Sequence, residues 1–185
     1  MKFILLTHAT EITKSTNTGR LVQQHVPGAE IIIWQRTQPD ENLLKLITSG
    51  NTALVYPATL HRLDDQVPEA GSVKHLAEKN LSARNLSARN SSVAGTVTDI
   101  SSIKHFVLID STWQQARKIF NRSPYLQQLP TLELSSAVKS NYHLRRNQMK
   151  GGLCTVECVI ELLRMGNHEA LVTQLEQAFN SFLID

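Results

Sequence analysis

The chain has 185 residues, of which 41% are hydrophobic and 19% are charged, and its formal net charge is +3. This size and composition are typical of a globular protein with one full-sized core. No stretch approaches the roughly 20 apolar residues of a membrane-spanning helix, and the apolar run at the N-terminus is too short for a secretion signal. We therefore expect a cytoplasmic protein without a membrane partner.

Apolar runs alternate with amphipathic segments along most of the chain. Strands are predicted at 2–8, 29–36, 51–57, 104–110 and 130–135, and helices at 18–26, 40–49, 112–120, 155–165 and 168–182. Continuous apolar strands separated by helices are typical of a mostly parallel sheet with helices on both faces. The sequence therefore predicts an α/β fold, in which ligands bind beyond the carboxyl ends of the strands.

The alternation is interrupted between about residues 59 and 102. This stretch is rich in Ser, Asn and Gly, and it repeats the pentapeptide Asn-Leu-Ser-Ala-Arg from Asn80 and again from Asn85. Such a composition favours a mobile loop over a second domain. We therefore predict a single domain over 1–185 with a low-complexity excursion at about 59–102.

Positive charge is concentrated in one part of the chain. Residues 104–150 contain eight Lys or Arg and two acidic residues, so this segment carries +6 while the rest carries −3. A basic segment in an otherwise slightly acidic protein suggests a polyanionic partner, although a solvated basic face gives the same count.

The strand at 104–110 ends in Asp110, and Ser111, Thr112 and Trp113 follow it. Asp, Ser and Thr are all good helix N-caps, but one cap does not account for three such residues in a row. The indole after them is a side chain that can wall a pocket. The pattern therefore favours a functional site at this strand end over a simple cap.

Two further segments carry polar residues next to glycines. Gly19 and Arg20 begin a predicted helix, where free N–H groups favour anions, although a turn with a cap explains the same pattern. Upstream of them, His8 and Glu11 are spaced either as a proton-handling pair or as a local salt bridge. Gly152 follows a second basic stretch in the same way, so close backbone approach to an anion and a simple hinge remain alternatives there.

The helix predicted at 155–165 begins with residues of several kinds. Thr155 is a predicted N-cap, with Glu157 in the first turn. Cys154 and Cys158 are four residues apart, but no nearby His or Cys completes a zinc site, which favours packing residues over ligands. Walker, GxGxxG, HExxH, GxSxG and paired CxxC motifs are missing from the sequence, which removes the main support for ATPases, nicotinamide enzymes, zincins and α/β hydrolases.

Five sequence blocks, in order, resemble the DTW-domain family. The signature Asp-x-Thr-Trp is matched by Asp110, Thr112 and Trp113, and Gln115, Ala116 and Lys118 continue it. The other matching residues are His8, Glu11, Asn17, Thr18, Gly19 and Arg20; Tyr56 and Pro57; Arg122, Pro124, Leu126 and Pro130; and Leu153, Thr155 and Glu157. The match covers most of the chain apart from 59–102 and the last helix.

The resemblance implies a SPOUT-related α/β fold with a C-terminal trefoil-type knot, although knots are rare. It also implies a transferase that moves the 3-amino-3-carboxypropyl group of S-adenosylmethionine to N3 of a tRNA uridine and releases methylthioadenosine. A methyltransferase acting on RNA with the same co-substrate is one alternative, and a catalytically silent RNA-binding module is another. SPOUT relatives often dimerise, and the sequence leaves a monomer and a homodimer open for this chain.

The resemblance also suggests site residues. Three loops at strand ends are expected to hold S-adenosylmethionine, through Tyr56, Pro57, Asp110, Ser111, Thr112, Trp113, Leu153, Cys154, Thr155 and Glu157. Asp110 is the candidate general base for uridine N3, or a residue that binds the co-substrate or holds a loop. The residues expected to contact tRNA are Arg20, Arg117, Lys118, Arg145 and Arg146.

The sequence departs from the family pattern at a few positions. Ser111 stands where glycine is common, and Cys154 and Cys158 stand where Ser and Ala are common. All three replacements are small, so we expect the shape of the pocket to be kept. A cluster of N-terminal cysteines that many members carry is missing, and we expect no metal.

Overall fold

The computed structural model describes residues 1–57, 97, 99–134, 140–144 and 152–184 of the chain. Its strands form one sheet with the order β2-β1-β4-β3-β5, and every pairing is parallel. The strands are β1 (Lys2–Thr7), β2 (Glu30–Ile33), β3 (Thr52–Val55), β4 (His105–Asp110) and β5 (Thr131–Leu132).

The described residues also form α1 (Gly19–His25), α2 (Glu41–Thr48), α3 (Trp113–Asn121), α4 (Pro124–Gln127), α5 (Thr155–Met165) and α6 (Glu169–Ile184). Local chemistry sets several of these helix ends. Asp40 caps α2, because its carboxylate accepts a hydrogen bond from the Leu43 N–H at 2.9 Å. Pro124 opens α4, where its missing N–H costs no intrahelical hydrogen bond. No helix in the described ranges is long and apolar enough to cross a membrane.

Successive residues of the central strands point to opposite faces of the sheet, and each face has its own core. Phe3 and Phe106 lie on one face, with their ring centroids 5.9 Å apart, and α1, α5 and α6 cover that face. Ile4 and Val107 lie on the other face, where buried residues of α2, α3 and α4 pack. Burial on both faces explains why β1 and β4 are apolar throughout. The predicted α/β class with a parallel sheet is confirmed.

The structure differs from the predicted elements at the edge of the sheet and near residue 100. Of the predicted strand at 130–135, the described residues 130–134 contain only the two residues of β5, and residue 135 lies outside the described ranges. The Val97 N–H donates to the Thr131 carbonyl at 2.8 Å, and Ile100 is buried in the core. The end of the predicted excursion is therefore packed against the domain, while the repeat at 80–92 lies outside the described residues.

The connections that leave β1 and β4 run towards opposite edges of the sheet. From β1 the chain moves outwards to β2, whereas β3 and β5 lie on the far side of β4. Such a reversal in a parallel sheet opens a crevice at the carboxyl ends of the two central strands. Thr7 and Asp110 are the last residues of these strands, and they are paired in register. The crevice is therefore expected directly above this pair.

Candidate active site at the carboxyl ends of the central strands

The carboxylate of Asp110 joins four segments of the chain at the end of β4. Its side chain is buried, with 2% of the residue exposed. Oδ2 accepts hydrogen bonds from Thr7 Oγ1 at 3.2 Å and from Asn17 Nδ2 at 2.8 Å, and Oδ1 accepts one from Thr155 Oγ1 at 2.7 Å. These contacts are those of a carboxylate that holds neighbouring loops together, one of the roles that the sequence left open for Asp110.

The segment before α1 packs directly onto this carboxylate. Asn17 uses both ends of its amide, because Oδ1 accepts from the Arg20 N–H at 3.1 Å while Nδ2 donates to Asp110. Gly19 leaves the space that the carboxylate fills, since a Cβ there would lie 2.5 Å from Asp110 Oδ2. The Asn-Thr-Gly stretch therefore forms part of the surroundings of Asp110. A turn with a helix cap accounts for the backbone of this stretch but not for its contacts with the carboxylate.

The three polar residues at the end of β4 have different partners. Asp110 binds the neighbouring segments, whereas the hydroxyl of Ser111 donates to the Thr112 carbonyl at 3.3 Å. Thr112 is the N-cap of α3 and forms a reciprocal capping box with Gln115. Trp113, the first residue of α3, is half-buried. The run of cap-capable residues is thus explained by one cap and one buried carboxylate.

The N-terminus of α5 is held by Glu157. Its Oε2 accepts from the Cys154 N–H at 2.8 Å and from Ser140 Oγ at 2.7 Å, and its Oε1 accepts from the Asn141 N–H at 2.8 Å. Cys154 is the N-cap position, so the prediction that Thr155 caps this helix was wrong by one residue. The hydroxyl of Thr155 is engaged by Asp110 instead, and Leu153 before it is half-buried.

Both cysteines are free thiols that pack against the core. Burial raises the pKa of Cys154 well above its ordinary value, and the negative charge of Glu157 raises it further. Burial likewise raises the pKa of Cys158 to about 12, with the charges of Glu157 and Glu161 as smaller causes. Thiols in this state are protonated and poorly nucleophilic, which agrees with the packing interpretation. Within the described ranges, no group of three or more His, Cys, Asp or Glu is placed to hold a metal ion.

The loop after β3 begins with a residue that belongs to the core. Tyr56 is 3% exposed, and its ring stacks on Phe120 with centroids 4.7 Å apart. Its ring therefore supports the loop from beneath, and Pro57 is half-buried at the rim. The role of this loop in binding the co-substrate remains a prediction.

The predicted tRNA-binding residues lie in different regions of the chain. Arg20 is exposed in the first turn of α1, and Lys118 is exposed on α3, where Arg117 is half-buried. Arg145 and Arg146 lie outside the described residues. Contact with RNA remains a prediction for all five.

A polar network beside the Asp-x-Thr-Trp helix was missed from the sequence. The buried carboxylate of Glu11 binds Lys14 Nζ at 2.6 Å. The His8 ring stacks on Trp34, with centroids 6.2 Å apart, and its Nδ1 lies 2.8 Å from Thr10 Oγ1. Trp34 is tied down by Ser123, whose Oγ accepts from the indole N–H at 2.9 Å. Trp34 directly follows the observed strand β2 but lies inside the strand predicted at 29–36, so the sequence did not place it at a strand end.

The sequence that forms this fold and its carboxyl edge matches a known protein family. The family model "DTW domain" matches residues 1–184, so the chain belongs to the DTW-domain family. The chain is 28% identical over 167 residues to tRNA-uridine aminocarboxypropyltransferase 2 of Drosophila melanogaster, a match that covers 88% of this chain and 55% of that protein. The chain thus spans about half the length of this relative. No solved structure matches the chain.

Proposed function

We propose that the protein transfers the 3-amino-3-carboxypropyl group of S-adenosylmethionine to N3 of a tRNA uridine, releasing methylthioadenosine. Membership of the DTW-domain family and the similarity to a tRNA-uridine aminocarboxypropyltransferase support this proposal. The observation that carries it is the Asp110 carboxylate, which binds Thr7, Asn17 and Thr155 and so links three of the family's sequence blocks at one sheet edge.

The residues around this edge fit the chemistry of the co-substrate. Pro57, Trp113 and Leu153 are half-buried, so each leaves apolar surface for an adenine ring or a sulfonium-bearing chain. The hydroxyl of Ser111 and the backbone of the three loops offer polar partners. When bound, S-adenosylmethionine supplies a sulfonium that makes the attached carbons electrophilic. The protein's part is to position one of these carbons against the nucleophile.

Asp110 fits the role of a positioning residue in this reaction. Both of its oxygens already accept hydrogen bonds, and its side chain is buried. By fixing β4 against the N-terminus of α5, it would set the separation of two loops expected to hold the co-substrate. The prediction that Asp110 takes the proton of uridine N3 requires the second lone pair of Oδ1, the oxygen that accepts from Thr155, to face the substrate.

Transfer RNA is the proposed nucleic-acid substrate. Exposed Arg20 and Lys118 lie on helices that begin at or near this sheet edge, and cations at such positions bind phosphates independently of sequence. We extend the same role to Arg117, Arg145 and Arg146. Binding that depends on these residues should weaken steeply as salt concentration rises.

Three further properties, of the fold, the domain organisation and the location, complete the proposal. We propose a SPOUT-related fold with a C-terminal trefoil-type knot, a single domain over 1–185 and a cytoplasmic location. An experimental structure that shows the backbone from residue 130 to 184 tests the knot. A C-terminal segment that does not pass through a loop of the chain would contradict it. A single cooperative unfolding transition tests the single domain, and cell fractionation tests the location.

Mass spectrometry of tRNA incubated with the protein and S-adenosylmethionine tests the reaction. We expect a nucleoside heavier by one aminocarboxypropyl group, together with an equal amount of methylthioadenosine. S-adenosylhomocysteine with a methylated nucleoside would establish a methyltransferase instead. Salt-sensitive tRNA binding without calorimetric binding of S-adenosylmethionine would establish a silent RNA-binding module.

A further inference from the structure

The imidazole of His8 is held in one orientation at the rim of the crevice. His8 directly follows β1, one residue after Thr7, whose hydroxyl binds Asp110. One side of the ring stacks on Trp34 at 6.2 Å between centroids. The Trp34 backbone is fixed to the same strand end, because its N–H donates to the Thr7 carbonyl at 2.9 Å. The ring is therefore part of the strand-end scaffold, although it is only half-buried.

Hydrogen-bond donors surround Nδ1 of His8. The Thr10 N–H donates to Nδ1 at 3.3 Å, and the side-chain amide nitrogen of Gln115 lies 3.5 Å from it. An amide N–H can only donate, so Nδ1 must present its lone pair. The Thr10 hydroxyl accepts from Gln115 Nε2 at 3.0 Å and can then give its own proton to Nδ1, 2.8 Å away.

The orientation of the Gln115 amide is itself fixed. Its Oε1 accepts from both the backbone N–H of Thr112 at 3.1 Å and the Thr112 hydroxyl at 2.8 Å. The amide nitrogen must therefore point towards Thr10 and His8. These contacts connect the Asp-x-Thr-Trp motif to His8 and favour the tautomer that carries its proton on Nε2. Among the residues that the structure describes, none accepts a hydrogen bond from that nitrogen.

We propose that His8 recognises the target uracil by donating its Nε2–H to a carbonyl oxygen next to N3. This inference rests on the proposed function. Uracil N3 lies between two carbonyl groups, and both oxygens share the negative charge that develops when N3 loses its proton. A donor that is already oriented towards one of these oxygens strengthens its hydrogen bond as that charge grows. Where the bound oxygen is O4, the same donor also selects uracil, because cytosine carries an amino group at C4 and keeps only the oxygen at C2.

His8→Phe and His8→Gln separate this role from a structural one. Phe keeps a ring to stack on Trp34 but has no donor, whereas the Gln amide places an N–H close to the position of Nε2. We expect His8→Phe to lower kcat/KM for tRNA by about 100-fold, the usual effect of losing one donor at a developing negative charge. We expect His8→Gln to stay within about tenfold of the wild type. Binding of S-adenosylmethionine and the Tm should be close to wild type in both.

Two further measurements sharpen the test. The loss of kcat in His8→Phe should shrink as pH rises towards ionisation of uracil N3, because the proton is then already gone before the reaction. His168→Gln is the matched control, because His168 is an exposed histidine in the turn between α5 and α6. It should leave every parameter unchanged.

The outcomes separate this inference from the proposed function. If wild-type protein forms no methylthioadenosine with tRNA, the proposed function fails and the role of His8 falls with it. If the wild type is active and His8→Phe matches it within about twofold, the reaction stands and the inference is wrong. If both variants lose activity together with co-substrate binding or Tm, His8 is structural and the inference is again wrong.

Discussion

Thr155, the first residue of α5, donates its hydroxyl to Oδ1 of Asp110, the last residue of β4, at 2.7 Å and across 45 positions of sequence. This bond connects a strand end to a helix start inside a buried carboxylate network. A hydrogen bond to a charged group contributes more than a neutral one, about 1.5–3 kcal/mol. The relative position of the two loops therefore depends on one oxygen atom of Asp110.

Asp110→Asn tests whether this carboxylate positions loops. The substitution turns one accepting oxygen into a donor that faces another donor, so we expect a loss of about 2 kcal/mol in the free energy of unfolding. Activity should fall with it, as measured by methylthioadenosine release and by denaturant unfolding.

Thr155→Val is the matched variant for Asp110→Asn. It removes only the hydroxyl at the far end of the bond, so we expect it to reproduce part of both losses. If Asp110→Asn keeps the wild-type stability and still abolishes activity while Thr155→Val is fully active, Asp110 is the proton acceptor and the positioning role is wrong.

Gly19→Ala tests the close approach of α1 to Asp110. The new Cβ would lie 2.5 Å from Asp110 Oδ2, and that oxygen is held by Thr7 and Asn17. Overpacking of this kind costs about 1–3 kcal/mol, which exceeds the roughly 1 kcal/mol that Ala gains in a helix. We expect a lower Tm in thermal unfolding, together with weaker binding of S-adenosylmethionine in calorimetry.

Gly28→Ala is the control for Gly19→Ala. Gly28 has φ of +78° and no atom within 4 Å of a built Cβ, so Ala there introduces backbone strain without crowding. It should lower the Tm and leave co-substrate binding unchanged. Equal loss of binding in the two variants would show that crowding at Asp110 is not the cause.

The thiols of Cys154 and Cys158 are expected to be inert in the native protein. With a pKa of about 12, Cys158 is ionised in only about one molecule in 10⁴ at pH 8. A disulfide reagent should therefore titrate almost no thiol at pH 8 under native conditions and both thiols in guanidinium chloride. Rapid reaction of either thiol in the folded protein would contradict the packing role.

His105 makes the stability depend on pH. Burial lowers its pKa below the ordinary value, and the positive charges of Lys2, Lys104 and the N-terminus lower it further. The unfolded chain therefore binds a proton more readily, so stability falls as pH drops below about 6.5 and the loss is complete below the folded pKa. We expect the Tm of His105→Gln to fall less than that of the wild type between about pH 7 and about pH 5. Parallel Tm curves would contradict this assignment.

Much of the fold is predictable because its signals are local. Continuous apolar runs predicted each of the strands found in the described ranges, and Asp40 marked the start of α2. The edge strand β5 was overestimated, because among the described strands Thr131 and Leu132 pair with β3 alone, and nothing in the sequence shows where that pairing stops. The packing of Val97 against Thr131 was hidden by the low-complexity composition before it.

The sequence predicted which residues belong to the candidate site, but it did not predict which of them are in contact. The pattern singled out Asp110, Gly19 and Thr155, yet their meeting depends on strand order and on how α5 docks, which no local rule specifies. Spacing suggested Glu11 as a companion of His8, and it gave no sign of Gln115, whose amide nitrogen lies 3.5 Å from the His8 ring. The spacing of residues in the sequence indicates which side chains are neighbours on one helix or strand. These partners instead lie on different helices, strands and loops.

The Asp110 network also has a consequence for how the protein is made. Its three hydrogen-bond partners lie 103, 93 and 45 positions away along the chain, and contacts of such long range form late in folding. During synthesis, Thr7 and Asn17 have no carboxylate to bind until Asp110 leaves the ribosome. The last of the three hydrogen bonds to Asp110 can form only after Thr155 has also left it. A nascent chain that has not yet docked the start of α5 therefore lacks the Thr155 hydrogen bond and an assembled Asp110 network.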